Sequence, residues 1–196
     1  MEQLLAAAGL TDRGALAGAL IDQFGSLPLL LAARPGRQLR AAGDPRIVAL
    51  LQAVRQALRD TTRADLDRRP VLADSRTLRD YLMVHLADEA NEHVRILYLN
   101  AYDRLITDEL HASGTPSDTP FCIRTIAARA LEVGAMNVLV AHNHPSGLRE
   151  SSRADIAQTI ALEAALDALG ITLIDHLIVT RGGLSSVRAA TRAWAA

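Results

Sequence analysis

The sequence predicts an α/β (α+β) fold, a mixed β-sheet flanked by helices and preceded by a small all-helical unit. Three observations predict it. Apolar residues recur at helical spacing through the first 60 or so residues. From residue 93 onward, runs of Val, Ile and Leu with strand character appear, and from there strands and helices alternate, as in a sheet covered by helices. With 196 residues, 49% apolar and 22% charged, the chain has the make-up of a folded globular protein of one or two domains.

In the N-terminal part, Leu16, Leu20, Ile21 and Phe24, then Ile47, Leu50, Leu51, Val54 and Leu58, lie on helical stripes. Gly25-Ser26, Pro35-Gly36 and Gly43-Asp44-Pro45 interrupt them, so residues 1–60 read as a bundle of three to five short helices. Residues 61–73 are charged, carry Pro70 and lose the periodicity, which is the composition of a linker. The second domain is then 74–196. It opens with a helix over TLRDYLMVHLAD, N-capped by Asp74 or Ser75. HVRILYLNA and RLITDELHA follow as a hairpin turning at Tyr102-Asp103. IRTIAARALEVGA reads as a helix ending near Gly134, MNVLVAHNH as a strand, RADIAQTIALEAALDALG as a helix stopped by Gly170, and ITLIDHLIVT as a strand. A last short strand pair turns at Arg181-Gly182-Gly183.

The formal net charge of −1 gives no global attraction to nucleic acid, although a local basic face is compatible with it. All basic residues are arginines, a bias given no functional weight. Cys122 is the single cysteine, so neither an intramolecular disulfide nor a multi-cysteine zinc cage is expected, and a cytoplasmic setting fits. No basic segment followed by an apolar core marks a signal peptide, and no apolar run approaches the ~20 residues of a membrane span.

The segment that carries chemistry is AHNHPSG, residues 141–147. Alternation on a strand puts Val138, Val140, His142 and His144 on one face, so two imidazoles converge at the strand end. Beyond a turn, Ser152 opens a helix with Asp155 three residues on, which returns a hydroxyl and a carboxylate toward that strand end. Two histidines and a carboxylate are a common ligand set for catalytic zinc with one position left for water. A general base is then needed, and Glu92, before the strand HVRILYL, is the best-placed glutamate.

The pattern His142-x-His144, seven residues, Ser152-x-x-Asp155, with an upstream glutamate, resembles the JAMM signature of MPN-domain metalloproteases. More narrowly, HNHPSG with SSRAD, EHVRILYLNA, IRTIAARALEVGA and ITLIDHLIVT resemble the bacterial RadC family over about residues 75–190. The resemblance implies that His142, His144 and Asp155 bind Zn²⁺, that Glu92 holds or deprotonates the water the metal activates, and that Ser152 donates a hydrogen bond to the oxyanion. The implied activity is hydrolysis of peptide or isopeptide amide bonds, with a protein or peptide as substrate. This chain departs from the family in having Leu148-Arg149-Glu150-Ser151 before the serine, Thr125 after Arg124, and Asn100 after the first strand, where a local structural consequence is expected.

FGSLPLLLAARPGRQLRAAGDPRIVALLQAVRQAL resembles the helix-hairpin-helix region that precedes the RadC catalytic domain, but in degenerate form. Only Gly43-Asp44-Pro45-Arg46 stands where backbone N–H groups would meet a phosphate; the aspartate repels phosphate and the proline removes a donor. The alternatives are therefore a DNA-repair-associated DNA-binding module, reflecting the family's name, or a zinc-binding scaffold without turnover. Ser152-x-x-Asp155 also reads as a capping box, compatible with a site role. His176, following Asp175 in an apolar strand, reads as a hydrogen-bonded core histidine outside the site. Residues 113–121 are the segment that would cover the cleft or leave it open.

Overall fold

The structure is a computed structural model and describes residues 1–7, 13–114 and 122–194. Residues 115–121, most of the segment expected to border the cleft, lie outside the described residues. The N-terminal part holds α1 (Glu2–Ala7), α2 (Arg13–Phe24), α3 (Leu27–Ala32), α4 (Pro35–Ala42) and α5 (Pro45–Asp67). Leu5, Leu20, Phe24, Leu30, Ile47 and Leu51 meet there in one apolar cluster. Ser26 caps α3 and Asp44 caps α5, each with proline in the first turn, where the missing N–H leaves no hydrogen bond unmade.

Residues 61–73 differ from the linker expected of their composition. Helix α5 runs on to Asp67, and a 3₁₀ turn spans Val71–Ala73. The charges there are spaced as partners: Arg63 bonds Asp67 one turn on and also meets Asp108 on the sheet, while Thr61 and Thr62 return their hydroxyls to helix carbonyls. Leu66 and Val71 are buried in the cluster beneath the sheet. The stretch lost its apolar stripe on paper because polar pairing holds its exposed side.

Five strands follow: β1 (His93–Leu99), β2 (Leu105–Ser113), β3 (Asn137–Asn143), β4 (Thr172–Thr180) and β5 (Gly183–Ser186). They form one sheet in the order β2-β1-β3-β4-β5, with β3 and β4 parallel and the other neighbours antiparallel. The parallel pair requires a crossover, supplied by α8 (Arg153–Asp167). Helix α6 (Ser75–Leu86), capped by the Asp74 carboxylate, covers one face through Leu78, Tyr81, Leu82 and Leu86. Helices α7 (Ile123–Glu132) and α8 cover the other with Ile126, Ala130, Leu162 and Leu166, and α9 (Val187–Trp194) packs beside α8 and β4. Each fully buried leucine or isoleucine contributes about 1.5–3 kcal/mol. The mixed α/β sheet with a helical region ahead of it is the fold class the sequence predicts. Asn100 accepts from the N–H groups of Tyr102 and Arg104 and so shapes the hairpin turn, the local consequence expected there.

Candidate metal centre

The site lies where β3 leaves the sheet. Val140 and His142 point to the α7/α8 face, Leu139 and Ala141 to the α6 face. The His144 N–H donates to the Val179 carbonyl at 3.0 Å, which carries the alternation one step past β3 and returns His144 to the side of His142. Pro145, Ser146 and Gly147 then turn the chain: the Gly147 N–H donates to His144 O at 3.0 Å, and Gly147 takes φ 84°, a conformation that glycine adopts without steric cost. The loop beyond is pinned to β5, with the Ser185 hydroxyl donating to Arg149 O at 2.6 Å and the Arg149 guanidinium to Leu184 O.

Ser152 then begins α8 with a complete capping box. Its Oγ accepts from the Asp155 N–H at 3.1 Å, and Asp155 Oδ2 accepts from the Ser152 N–H at 2.7 Å. The box holds the carboxylate so that Oδ1 lies 3.4 Å from His142 Nε2 and Oδ2 3.7 Å from His144 Nε2. The two Nε2 atoms are 2.9 Å apart. One ligand atom from each of His142, His144 and Asp155 lies within 4.8 Å of the others, the one such group among the described residues.

Glu92 stands one residue before β1. The β1–β3 pairing ends at Val94 opposite His142, so Glu92 lies at the same end of the sheet as His144. Glu92 is outside the three-residue group, and its carbonyl accepts from the Gly114 N–H at 2.9 Å.

Three residues not singled out for the site from the sequence help build it. Asn143, fully buried, accepts from the His93 N–H at 2.8 Å and donates to the carbonyls of Glu89 and Asn91, clamping the segment that carries Glu92. His176 Nε2 lies 2.8 Å from His142 Nδ1, and its Nδ1 lies 2.7 Å from Thr159 Oγ. His176 is buried and hydrogen-bonded, as expected, but its partner is a residue of the site. It reaches there through a β-bulge. Val138 pairs with Leu173 but Leu139 pairs with Asp175, so Ile174 is an extra residue that turns His176 onto the face of His142. The only sequence signals were the polarity of these residues amid apolar neighbours.

Burial pushes His142 down to about 4, against the raising effect of Asp155 and with a further lowering from His144. Burial, then the neighbouring His142 and His144, holds His176 well below the ordinary histidine range. Both rings are therefore neutral at neutral pH. A neutral imidazole carries one N–H. The Leu148 carbonyl, 2.8 Å from His144 Nδ1, can only accept, so His144 Nδ1 carries an N–H and Nε2 is the ring nitrogen turned toward His142 and Asp155. Two imidazole Nε2 atoms and a carboxylate thus gather at one point, a ligand set that suits a divalent cation.

A five-stranded mixed sheet with a His-His-Asp group at the end of its central strand makes this an α/β domain with a candidate metal site. Residues 72–192 match the RadC-like JAB domain family. The chain is also 39% identical over 175 residues to a UPF0758 protein of Rhodobacter capsulatus, covering 89% of this chain and 82% of that one. It is 37% identical over 186 residues to a UPF0758 protein of Methylibium petroleiphilum, covering 93% and 84%. The chain belongs to the RadC-like JAB family. No helix among the described residues is long and apolar enough to cross a membrane.

Proposed function

We propose that the protein is a zinc-dependent hydrolase of peptide or isopeptide amide bonds, with the chemistry in residues 74–196 and the helices of residues 1–60 as an appended unit. The observation that carries this reading is the meeting of one possible ligand atom each from His142, His144 and Asp155 within 4.8 Å of one another. These three residues would hold the ion. Bound zinc supplies Lewis acidity and brings the pKa of water down to about 7. Glu92 would take a proton from the attacking water and pass it to the leaving amine. Ser152 accepts from the Asp155 N–H, which leaves its hydroxyl proton to donate to the developing oxyanion.

The DNA-binding reading finds less support at the α4–α5 turn. Asp44 accepts from the Arg46 N–H and pairs with the Arg46 guanidinium at 2.7 Å, so a carboxylate already occupies the helix end where a phosphate would sit. The scaffold reading separates from the enzyme through Glu92→Gln. The test is metal analysis of the reconstituted protein combined with cleavage of a peptide and isopeptide library. Stoichiometric zinc and turnover that Glu92→Gln removes are expected; absence of zinc, or turnover untouched by Glu92→Gln, contradicts the reading.

A further inference from the structure

We infer that Thr159 and His176 are positioning residues that fix His142 in its Nδ1–H tautomer, so that the Nε2 lone pair faces His144 and Asp155. The inference rests on the metal-site reading above, and each proton follows from a neighbour that can only accept. The Thr159 hydroxyl lies 2.6 Å from the Asp155 carbonyl one turn back in α8. Two oxygens that close need a proton between them, and the carbonyl has none, so Thr159 donates. Its Oγ is then an acceptor toward His176 Nδ1 at 2.7 Å, which must carry the ring's N–H. The opposite nitrogen, His176 Nε2, is left as an acceptor and receives the Nδ1–H of His142 at 2.8 Å. With one N–H per neutral ring, His142 then carries none on Nε2.

The chain of donors ends on the carbonyl of Asp155, itself a member of the three-residue group. One turn of α8 thus supplies both the carboxylate and the anchor that sets the tautomer of the histidine beside it. His176 and Thr159 are both buried, at 2% and 0% exposure, so water does not compete for these bonds. The same outcome is reached at His144 through a backbone carbonyl alone. The two rings present Nε2 by independent means, and only that of His142 depends on side chains. Partners of this kind typically change metal affinity 10–100-fold when removed.

The test has a metal-free arm and a metal arm. Long-range ¹H–¹⁵N spectra of the apo protein should show His142 with a pyrrole-type Nδ1 and a pyridine-type Nε2. His176→Leu should mix the tautomers of His142 and weaken zinc binding, read by chelator competition, by about 10–100-fold. Thr159→Val should act in the same direction more weakly, and His176→Gln, whose amide oxygen can accept from His142, should restore much of the affinity. A wild-type His142 protonated on Nε2, or folded His176→Leu and Thr159→Val proteins with unchanged tautomer and zinc affinity, overturns the inference. Failure of the wild type to bind zinc while His142 shows the stated tautomer counts against the hydrolase reading and leaves the relay supported.

Discussion

Two polar clusters are sunk against the sheet, one on each face, and they are built in opposite ways. On the α6 face, the Asp108 carboxylate meets the guanidiniums of Arg63 and Arg95 and the hydroxyl of Tyr81, and Arg95 also donates to the Tyr81 oxygen at 3.1 Å. Donors there face an acceptor and positive charge faces negative. On the α8 face, His142 Nε2, His144 Nε2 and the Asp155 carboxylate face one another, and in the tautomers inferred above all three are acceptors. The first cluster closes its own electrostatics. In those tautomers the second cluster would be closed by a cation and, without one, would cost stability that the first does not.

That contrast can be broken from either side. The largest expected effect is on the α6 face, where Asp108→Asn leaves two guanidiniums opposite a neutral amide. Denaturant unfolding should show a loss of about 3–5 kcal/mol, with zinc stoichiometry unchanged. Asp155→Asn should do the reverse. Its amide can donate to an Nε2 lone pair, so the apo protein should gain about 0.5–1.5 kcal/mol in the same measurement while stoichiometric zinc is lost. Ser152→Ala removes half of the capping box and should cost about 1 kcal/mol of stability. If Ser152 also serves the oxyanion, turnover on a cleavable substrate should fall by about 10²–10³-fold, far more than the loss of a cap explains.

A further effect appears only as pH is lowered. Burial first, then Arg59, pushes His85 down to about 4, below its unfolded value near 6.5. The unfolded chain therefore binds the extra proton first. The stability associated with neutral His85 is complete above pH 6.5, declines as pH falls, and levels off below about 4. His85→Gln should flatten the stability profile across that window, read as the denaturation midpoint against pH.

The contrast also explains what could be read from the sequence. His142, His144, Ser152 and Asp155 are brought together by local rules, strand alternation and a helix cap, and these rules act over a few residues. The hairpin, the Asp74 cap and the strand and helix order follow from the same short-range chemistry. His176 is 34 residues from His142, and simple alternation from Leu173 would put it on the wrong face; only the extra residue Ile174 turns it inward. Asn143 sits between the two histidines, yet its function is to grip a loop 50 residues earlier in the chain. The end of α5 was concealed for a related reason, since Arg63 finds Asp108 across 45 positions.

The central claim is that the cluster on the α8 face is complete only with a cation. Zinc titration of the apo wild-type protein, followed by metal analysis after dialysis, tests it most directly. One zinc per chain and a rise in unfolding temperature are predicted for the wild type, and neither for Asp155→Asn. A wild-type protein that retains no zinc after reconstitution contradicts the account.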